Sequence, residues 1–174
     1  MGLLTNNYKE WRRLISSISF DTSNWRVVDS ALIDEAGTNR RWTYDFGTST
    51  GDIAYSNQQR TFDSGIFIKV GSGNTAPTVS DYALANKITS GSISNFQRAY
   101  SLETGKLRMR MTFKYSAPSD SDITIKEIGL FKEMLYGTSS DNLANYLFAR
   151  HVLATPVTVP ANASALITFD IVEE

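Results

Sequence analysis

The clearest pattern in the chain is a strict alternation of apolar and polar residues from Lys106 to Tyr115. Successive residues of a β-strand point to opposite faces of the sheet, so alternation separates an apolar face from a polar one. The apolar face consists of Leu107, Met109, Met111, Phe113 and Tyr115, and the polar face of Lys106, Arg108, Arg110, Thr112 and Lys114. This pattern predicts a half-buried strand.

Similar runs recur along the chain after residue 25, divided by residues that favour turns. The segments that we predict as strands are Trp25–Ile33, Arg41–Phe46, Phe62–Val70, Asn95–Leu102, Lys106–Tyr115, Asp122–Phe131, Tyr146–Leu153 and Ala165–Ile171. Strands with one apolar and one polar face are typical of antiparallel sheets. We therefore predict an all-β fold, an antiparallel β-sandwich of jelly-roll-like form with a short N-terminal helix.

One predicted strand changes the phase of its alternation partway along. Ile123 and Ile125 lie on one face, but the apolar positions then become Ile128 and Leu130, skipping Glu127. A slip of one residue is what a β-bulge produces. We therefore predict a bulge between Ile125 and Ile128.

The first residues follow a helical period. Their apolar residues recur at spacings of three and four, which forms one stripe of an amphipathic helix; they are Leu4, Tyr8, Trp11, Ile15 and Ile18. We divide the chain into an N-terminal helical arm, residues 1–20, and a β-sandwich domain, residues 21–174. The stripe either packs on its own domain or contacts neighbouring subunits. Because the strands suffice for a core, we predict the second and treat the stripe as a candidate interface.

The polar face of the alternating strand is cationic, and it gives a second candidate interface. Arg108, Arg110 and Lys114, together with Lys106, stand side by side on it. Like charges on one strand face repel unless something compensates them. They either pair with acidic residues of neighbouring strands or meet an acidic partner surface.

Composition excludes several classes of function. The 17 basic and 18 acidic residues give a formal charge of −1, so we predict no nucleic-acid partner. The chain has no cysteine and one histidine, so we predict no metal site and no cofactor. It has no long apolar run, so we predict no membrane span. The first residues lack the features of a secretory signal, and we expect synthesis in a cytoplasm.

Candidate catalytic groups are few and poorly arranged. His151 has no accompanying G-x-S-x-G elbow for a serine nucleophile. Gly71-Ser72-Gly73 lacks the residues that complete a phosphate-binding loop, and the Asp120-Ser121-Asp122 turn lacks the spacing of a calcium loop. We therefore predict that the protein is not an enzyme and assign no catalytic residue.

Aromatic residues leave one binding function open. The set is Trp25, Trp42, Tyr44, Phe46 and Tyr55. Such side chains either pack in a core or stack on sugars. The second interpretation predicts a carbohydrate-binding module with a glycan as its ligand.

The segment Val70–Ile88 reads V-G-S-G-N-T-A-P-T-V-S-D-Y-A-L-A-N-K-I. Gly71 and Gly73 are able to take positive φ values in a turn. Asp81 precedes a short apolar run and suits the start of one or two capped helical turns. Two strand pieces follow later, E-I-G-L-F at Glu127–Phe131 and L-F-A-R at Leu147–Arg150.

The order of these three motifs resembles a family of bacteriophage virion proteins. The resemblance covers residues 66–172. It implies a non-enzymatic structural component of a virion at the tail, collar or fibre attachment. Such a protein is expected to assemble with copies of itself and with other virion proteins. The alternatives are a capsid decoration or head-fibre protein and a glycan-binding, receptor-recognition module.

Overall fold

The computed structural model describes residues 3–16, 26–44, 65–103, 106–136 and 143–172. This part of the chain contains one helix, α1 (Asn6–Ser16). Its strands are β1 (Leu3–Leu4), β2 (Arg26–Ile33), β3 (Asn39–Tyr44), β4 (Ile66–Gly71), β5 (Ser92–Glu103), β6 (Lys106–Ser116), β7 (Ile123–Leu135), β8 (Leu143–Val159) and β9 (Ser164–Val172). The predicted strands are all present, with shifted ends.

The strands form three sheets within the described residues, and every pair is antiparallel. The four-stranded sheet has the order β1-β8-β7-β4 and the three-stranded sheet has the order β5-β6-β9. A separate hairpin joins β2 to β3. The predicted all-β class with one short helix is confirmed, whereas the finer arrangement as a jelly-roll-like β-sandwich stays a prediction.

The two larger sheets bury their apolar side chains in one common cluster. The four-stranded sheet contributes residues of β4, β7 and β8, among them Ile68, Val70 and Leu130. The three-stranded sheet contributes residues of β6 and β9, among them Met111 and Phe169. The alternation along β6 is confirmed, because its described apolar side chains, from Met109 to Tyr115, are all buried.

The register shifts at the place where the phase slip predicts a bulge. From Ile125 to Glu127, β7 advances two positions while its partner in β8 moves five, from Val157 to Val152, so the extra residues lie in β8. A register shift of this kind turns the following residues to the opposite faces. Ile128 therefore joins the common cluster, and Glu127 points away from it.

Helix α1 is attached to β8 and β2 by buried polar side chains. The backbone N–H of Thr5 donates to the carbonyl of Phe148 at 2.9 Å, and its hydroxyl donates to the carbonyl of Leu147 at 2.5 Å. The Asn7 amide donates to the carbonyl of Ile33 at 2.8 Å and accepts the Ile33 N–H at 2.9 Å. These four hydrogen bonds fix the start of the helix to β8 and β2.

The apolar stripe of α1 packs on the same chain. The rings of Tyr8 and Trp11 lie 5.8 and 5.4 Å from the ring of Phe148, and both side chains are buried. This packing is the one expected when a helix rests on its own domain, because the stripe needs an apolar surface to cover it. Contact of this stripe with a neighbouring subunit stays a prediction. Ile18 and the side chain of Ile15 lie outside the described residues.

A matched pair of substitutions tests the assigned faces of β6. Met111→Asp should unfold the protein, because an unpaired buried charge costs several kcal/mol, comparable to the whole stability of about 5–15 kcal/mol. Lys114→Asp, on the opposite face, should change the free energy of unfolding by about 1 kcal/mol or less. Circular dichroism during urea unfolding measures both. Equal tolerance of the two changes would show that the faces are assigned wrongly.

Candidate functional site

Residues 72–88, which we call the covering loop, lie over the four-stranded sheet. The loop returns to its starting point, since Ser72 N–H donates to the carbonyl of Asn86 at 2.8 Å and Ile88 N–H donates to that of Val70 at 2.9 Å. Leu84 is buried at its centre. It packs in a small cluster with Phe131 and Leu147 of the sheet, which are also fully buried.

The carboxylate of Glu127 accepts hydrogen bonds from three backbone N–H groups of the covering loop. Oε1 of Glu127 accepts the N–H of Gly73 at 3.1 Å and that of Asn86 at 2.8 Å. Oε2 accepts the N–H of Ala85 at 3.2 Å. Glu127 is 0% exposed, so one buried side chain of β7 holds both ends of the loop.

A guanidinium group links this carboxylate to a second one. Nε of Arg150 donates to Oε2 of Glu127 at 2.8 Å, and Nη1 donates to Oδ2 of Asp81 at 2.8 Å. Nη2 lies 2.7 Å from Oε2 of Glu127 as an ion-pair contact, without the alignment of a hydrogen bond. Asp81 also accepts the Thr78 N–H at 3.0 Å and the Thr78 hydroxyl at 2.7 Å.

The electrostatic balance keeps Asp81 and Arg150 ionised. Burial acts to raise the pKa of Asp81, but the hydrogen bonds from Thr78 and Arg150 outweigh it and hold that pKa below its ordinary value. Burial acts to lower the pKa of Arg150, but its bonds to Asp81 and Glu127 outweigh that effect and raise it. The three charged groups form a continuous chain from the sheet to the loop.

Two expectations for this segment are wrong. The covering loop contains no helical turn after Asp81, because Glu127 takes the N–H groups of Ala85 and Asn86 that a helix would pair internally. Gly71 and Gly73 do not have positive φ. A Cβ on Gly71 would lie 2.5 Å from Oε1 of Glu127, so glycine is needed there for close approach.

The structure thus brings the three sequence motifs into one site. The covering loop supplies Asp81 and three backbone N–H groups, E-I-G-L-F supplies Glu127, and L-F-A-R supplies Arg150. All three motifs are visible in the sequence, but the contact between Glu127 and Arg150 is not. The phase slip in β7 was the available signal, because it marks a polar residue at a buried strand position.

The cationic candidates on β6 pair within their own sheet. Arg110 donates to Asp170 of β9 at 2.8 and 3.1 Å, and Arg108 donates to the same carboxylate at 3.0 Å. The hydrogen bond from Arg110, followed by that from Arg108, holds the pKa of Asp170 below its ordinary value despite partial burial. Pairing with an acidic residue of a neighbouring strand is the first of the two alternatives predicted for the polar face of β6. Lys114 lies opposite Leu166 of β9.

Two further chemical candidates from the sequence are His151, which follows Arg150 on β8, and Asp122. His151 is half-buried on β8, and Asp122 accepts the N–H of Ala161 at 2.9 Å. Among the described residues, no group of three or more His, Cys, Asp or Glu side chains is placed to hold a metal ion. The described helix is too short to cross a membrane. The side chains of the aromatic set proposed for sugar stacking lie outside the described residues.

One further buried cation was not anticipated from the sequence. Lys132 of β7 is 0% exposed, and its Nζ lies 5.7 Å from the centre of the Trp11 ring. Burial lowers the pKa of Lys132 from 10.5 to about 7. On the neighbouring strand, burial raises the pKa of Tyr146, whose hydroxyl has no hydrogen-bond partner in the described part of the chain.

Comparison with known proteins adds no relative. No protein-family model, curated protein or solved structure matches this chain.

Replacing Glu127 tests its role in holding the covering loop. Glu127→Ala leaves three loop N–H groups without their acceptor and removes one of the two carboxylates that neutralise Arg150. Breaking a buried ion pair in this way should lower the free energy of unfolding by about 3–5 kcal/mol. Glu133→Ala, at an exposed position of the same strand, should change it by about 0.5 kcal/mol or less. Comparable losses for the two variants in urea unfolding would refute the assigned role.

Lys132 should make stability depend on pH. Its pKa is lower in the folded state, so the unfolded state binds more protons between about pH 7 and 10.5, and stability should rise with pH across that window. The slope from this group is at most about 1.4 kcal/mol per pH unit. Lys132→Met should remove that rise, whereas Lys9→Met, at an exposed position of α1, should retain it. Urea unfolding at pH 7, 8 and 9 measures it, and an unchanged slope in Lys132→Met would contradict the assignment.

Proposed function

We propose that this protein is a non-enzymatic structural component of a bacteriophage particle, at the tail, collar or fibre attachment. The observation that carries the proposal is the way the polar groups of the three motifs are used. Glu127 accepts three backbone N–H groups, and Arg150 binds two carboxylates, all within the chain. The residues on which the resemblance to virion proteins rests thus serve to fix a surface loop on a sheet.

A rigidly attached surface loop suits assembly with other proteins. The buried pair holds the loop from below, while Val79 and Tyr82 on its outer side remain exposed. Loops positioned by a rigid scaffold commonly carry binding functions. The proposed partners are copies of this chain and other virion proteins. A position as capsid decoration or head fibre would use the same surface and is the alternative placement.

Particle analysis tests this proposal. Phage particles are purified by density gradient from cells that express this gene from the phage genome, and their peptides are quantified by mass spectrometry. We expect the protein in the particle fraction at a fixed ratio to the major capsid protein. Protein that remains wholly in the unassembled fraction, while complete particles form, would refute the proposal.

A second candidate function is glycan binding, and one feature favours it. A cavity of about 480 Å³ lies between the start of α1 and the covering loop, with Asn6, Lys9, Ser80, Asp81 and Tyr82 in its lining. The side chain of Tyr82 is 42% exposed. An exposed aromatic ring beside amide, hydroxyl and carboxylate groups is typical of sites that stack and hydrogen-bond a sugar.

Substitution of Tyr82 tests this second candidate. If the cavity binds a glycan, Tyr82→Ala should weaken binding on a glycan array by about tenfold or more, since an aromatic contact contributes about 1.5 kcal/mol. Val79→Ala, at an exposed position on the same loop, should bind as the unmodified protein does. Absence of any bound glycan in the unmodified protein would exclude the candidate.

A further inference from the structure

Strand β9 presents a regular, unpaired sheet edge. It is the last strand in the order β5-β6-β9, and it pairs with β6 without a register shift from Ser164 to Val172. Its other side pairs with no strand among the described residues. The outward backbone N–H and C=O groups along this edge form a template for another strand.

Two other edges of the larger sheets, those of β4 and β5, are interrupted or covered. On β4, Ile88 N–H donates to the carbonyl of Val70, and Gly71 bridges to Lys87. On β5, the register shifts between Ser94 and Phe96. Bulges and covering segments of this kind are how natural sheets prevent edge-to-edge pairing.

Strand β9 lacks these protective features. Residues 164–172 contain no proline, lysine or arginine, and their single charge, Asp170, is paired with Arg108 and Arg110 inside its own sheet. On the outer face, Leu166 is 75% exposed, more than any other large apolar residue in the described part of the chain. An apolar, regular edge without gatekeeping charges favours intermolecular pairing.

We propose that β9 pairs antiparallel with β9 of a second copy of this chain, around a two-fold axis at Leu166. The result is a six-stranded sheet in the order β5-β6-β9-β9-β6-β5. An antiparallel edge is complementary to itself under a two-fold rotation, which makes a second copy the fitting occupant. The inference deepens the self-assembly part of the proposed function and rests on that part alone.

The side chains of β9 agree with this register. It sets Leu166 opposite the partner's Leu166, so that the most exposed apolar side chains cover each other. It also sets Ile167 beside the partner's Ala165, which continues the buried face from one copy to the next. The two Asp170 carboxylates lie about 27 Å apart along the strands, so like charges do not meet.

Cysteine cross-linking of the full chain tests the interface directly, because the chain has no cysteine of its own. Residues directly opposite across an antiparallel pair have Cα atoms about 4.5–5.5 Å apart, within the range of a disulfide. Leu166→Cys should therefore form a covalent dimer under mild oxidation at least tenfold faster than Val157→Cys. Val157 is a matched control, since it is an exposed apolar residue on β8 of the other sheet.

A second variant keeps the test decisive if the cysteine disturbs the fold. Leu166→Lys should leave the circular dichroism spectrum of the folded protomer unchanged and abolish the dimer seen by sedimentation equilibrium in the unmodified protein. Equal cross-linking rates for the two cysteine variants, or an unmodified protein that is monomeric at about 100 μM, would overturn the interface. Either result is obtained with purified protein, so it is distinguishable from failure to enter a phage particle.

Discussion

The buried ion pair between Glu127 and Arg150 is the interaction on which the covering loop and its sheet depend. Charges removed from water are stable only when partners satisfy them. Here the carboxylate receives three backbone N–H groups of the loop, and the guanidinium is shared with Asp81. Release of the loop would therefore leave a buried carboxylate and a buried guanidinium without their partners, which makes loop and sheet one cooperative unit.

Strands β7 and β8 join this unit to the rest of the molecule. On one side, Ile128 and Leu130 alternate with Glu127 and enter the core shared with the three-stranded sheet. On the same pair of strands, Phe148 and Met134 pack in one cluster with Tyr8 and Trp11 of α1. The register shift between β7 and β8 allows these roles to coexist, since Ile125 and Ile128 both face the core while Glu127 faces away from it. The helix, the loop and both larger sheets consequently meet at one strand pair.

The parts of the fold that could be predicted from the sequence are those encoded by local period. Alternation along β6 and the phase slip in β7 each predicted a strand feature that the structure contains. The site could not be derived in this way, because Glu127 and Arg150 meet through pairing of separate strands. Likewise, position 71 requires glycine because a Cβ there would clash with the Glu127 side chain. The burial of Lys132 could not be predicted for a similar reason, since Trp11, whose ring lies near its Nζ, is distant from it in the sequence.

The proposed function follows from how these polar groups are used. Catalytic groups need access to a substrate, whereas Glu127 is fully buried and its two oxygens hold backbone and guanidinium groups. A site of this kind gives rigidity to the surface above it. That surface, with exposed Val79 and Tyr82, and the regular edge of β9 are two separate places where an assembling protein would meet its neighbours.

Amide hydrogen exchange followed by NMR measures most directly whether the buried carboxylate holds the loop. If the carboxylate of Glu127 holds the loop, the N–H groups of Gly73, Ala85 and Asn86 exchange as slowly as those of the β7–β8 pair, through global unfolding. The N–H groups of Asn74 and Thr75, at exposed positions in the same loop, should exchange quickly. Fast exchange of all five amides, with β7 and β8 still protected, would contradict the central claim.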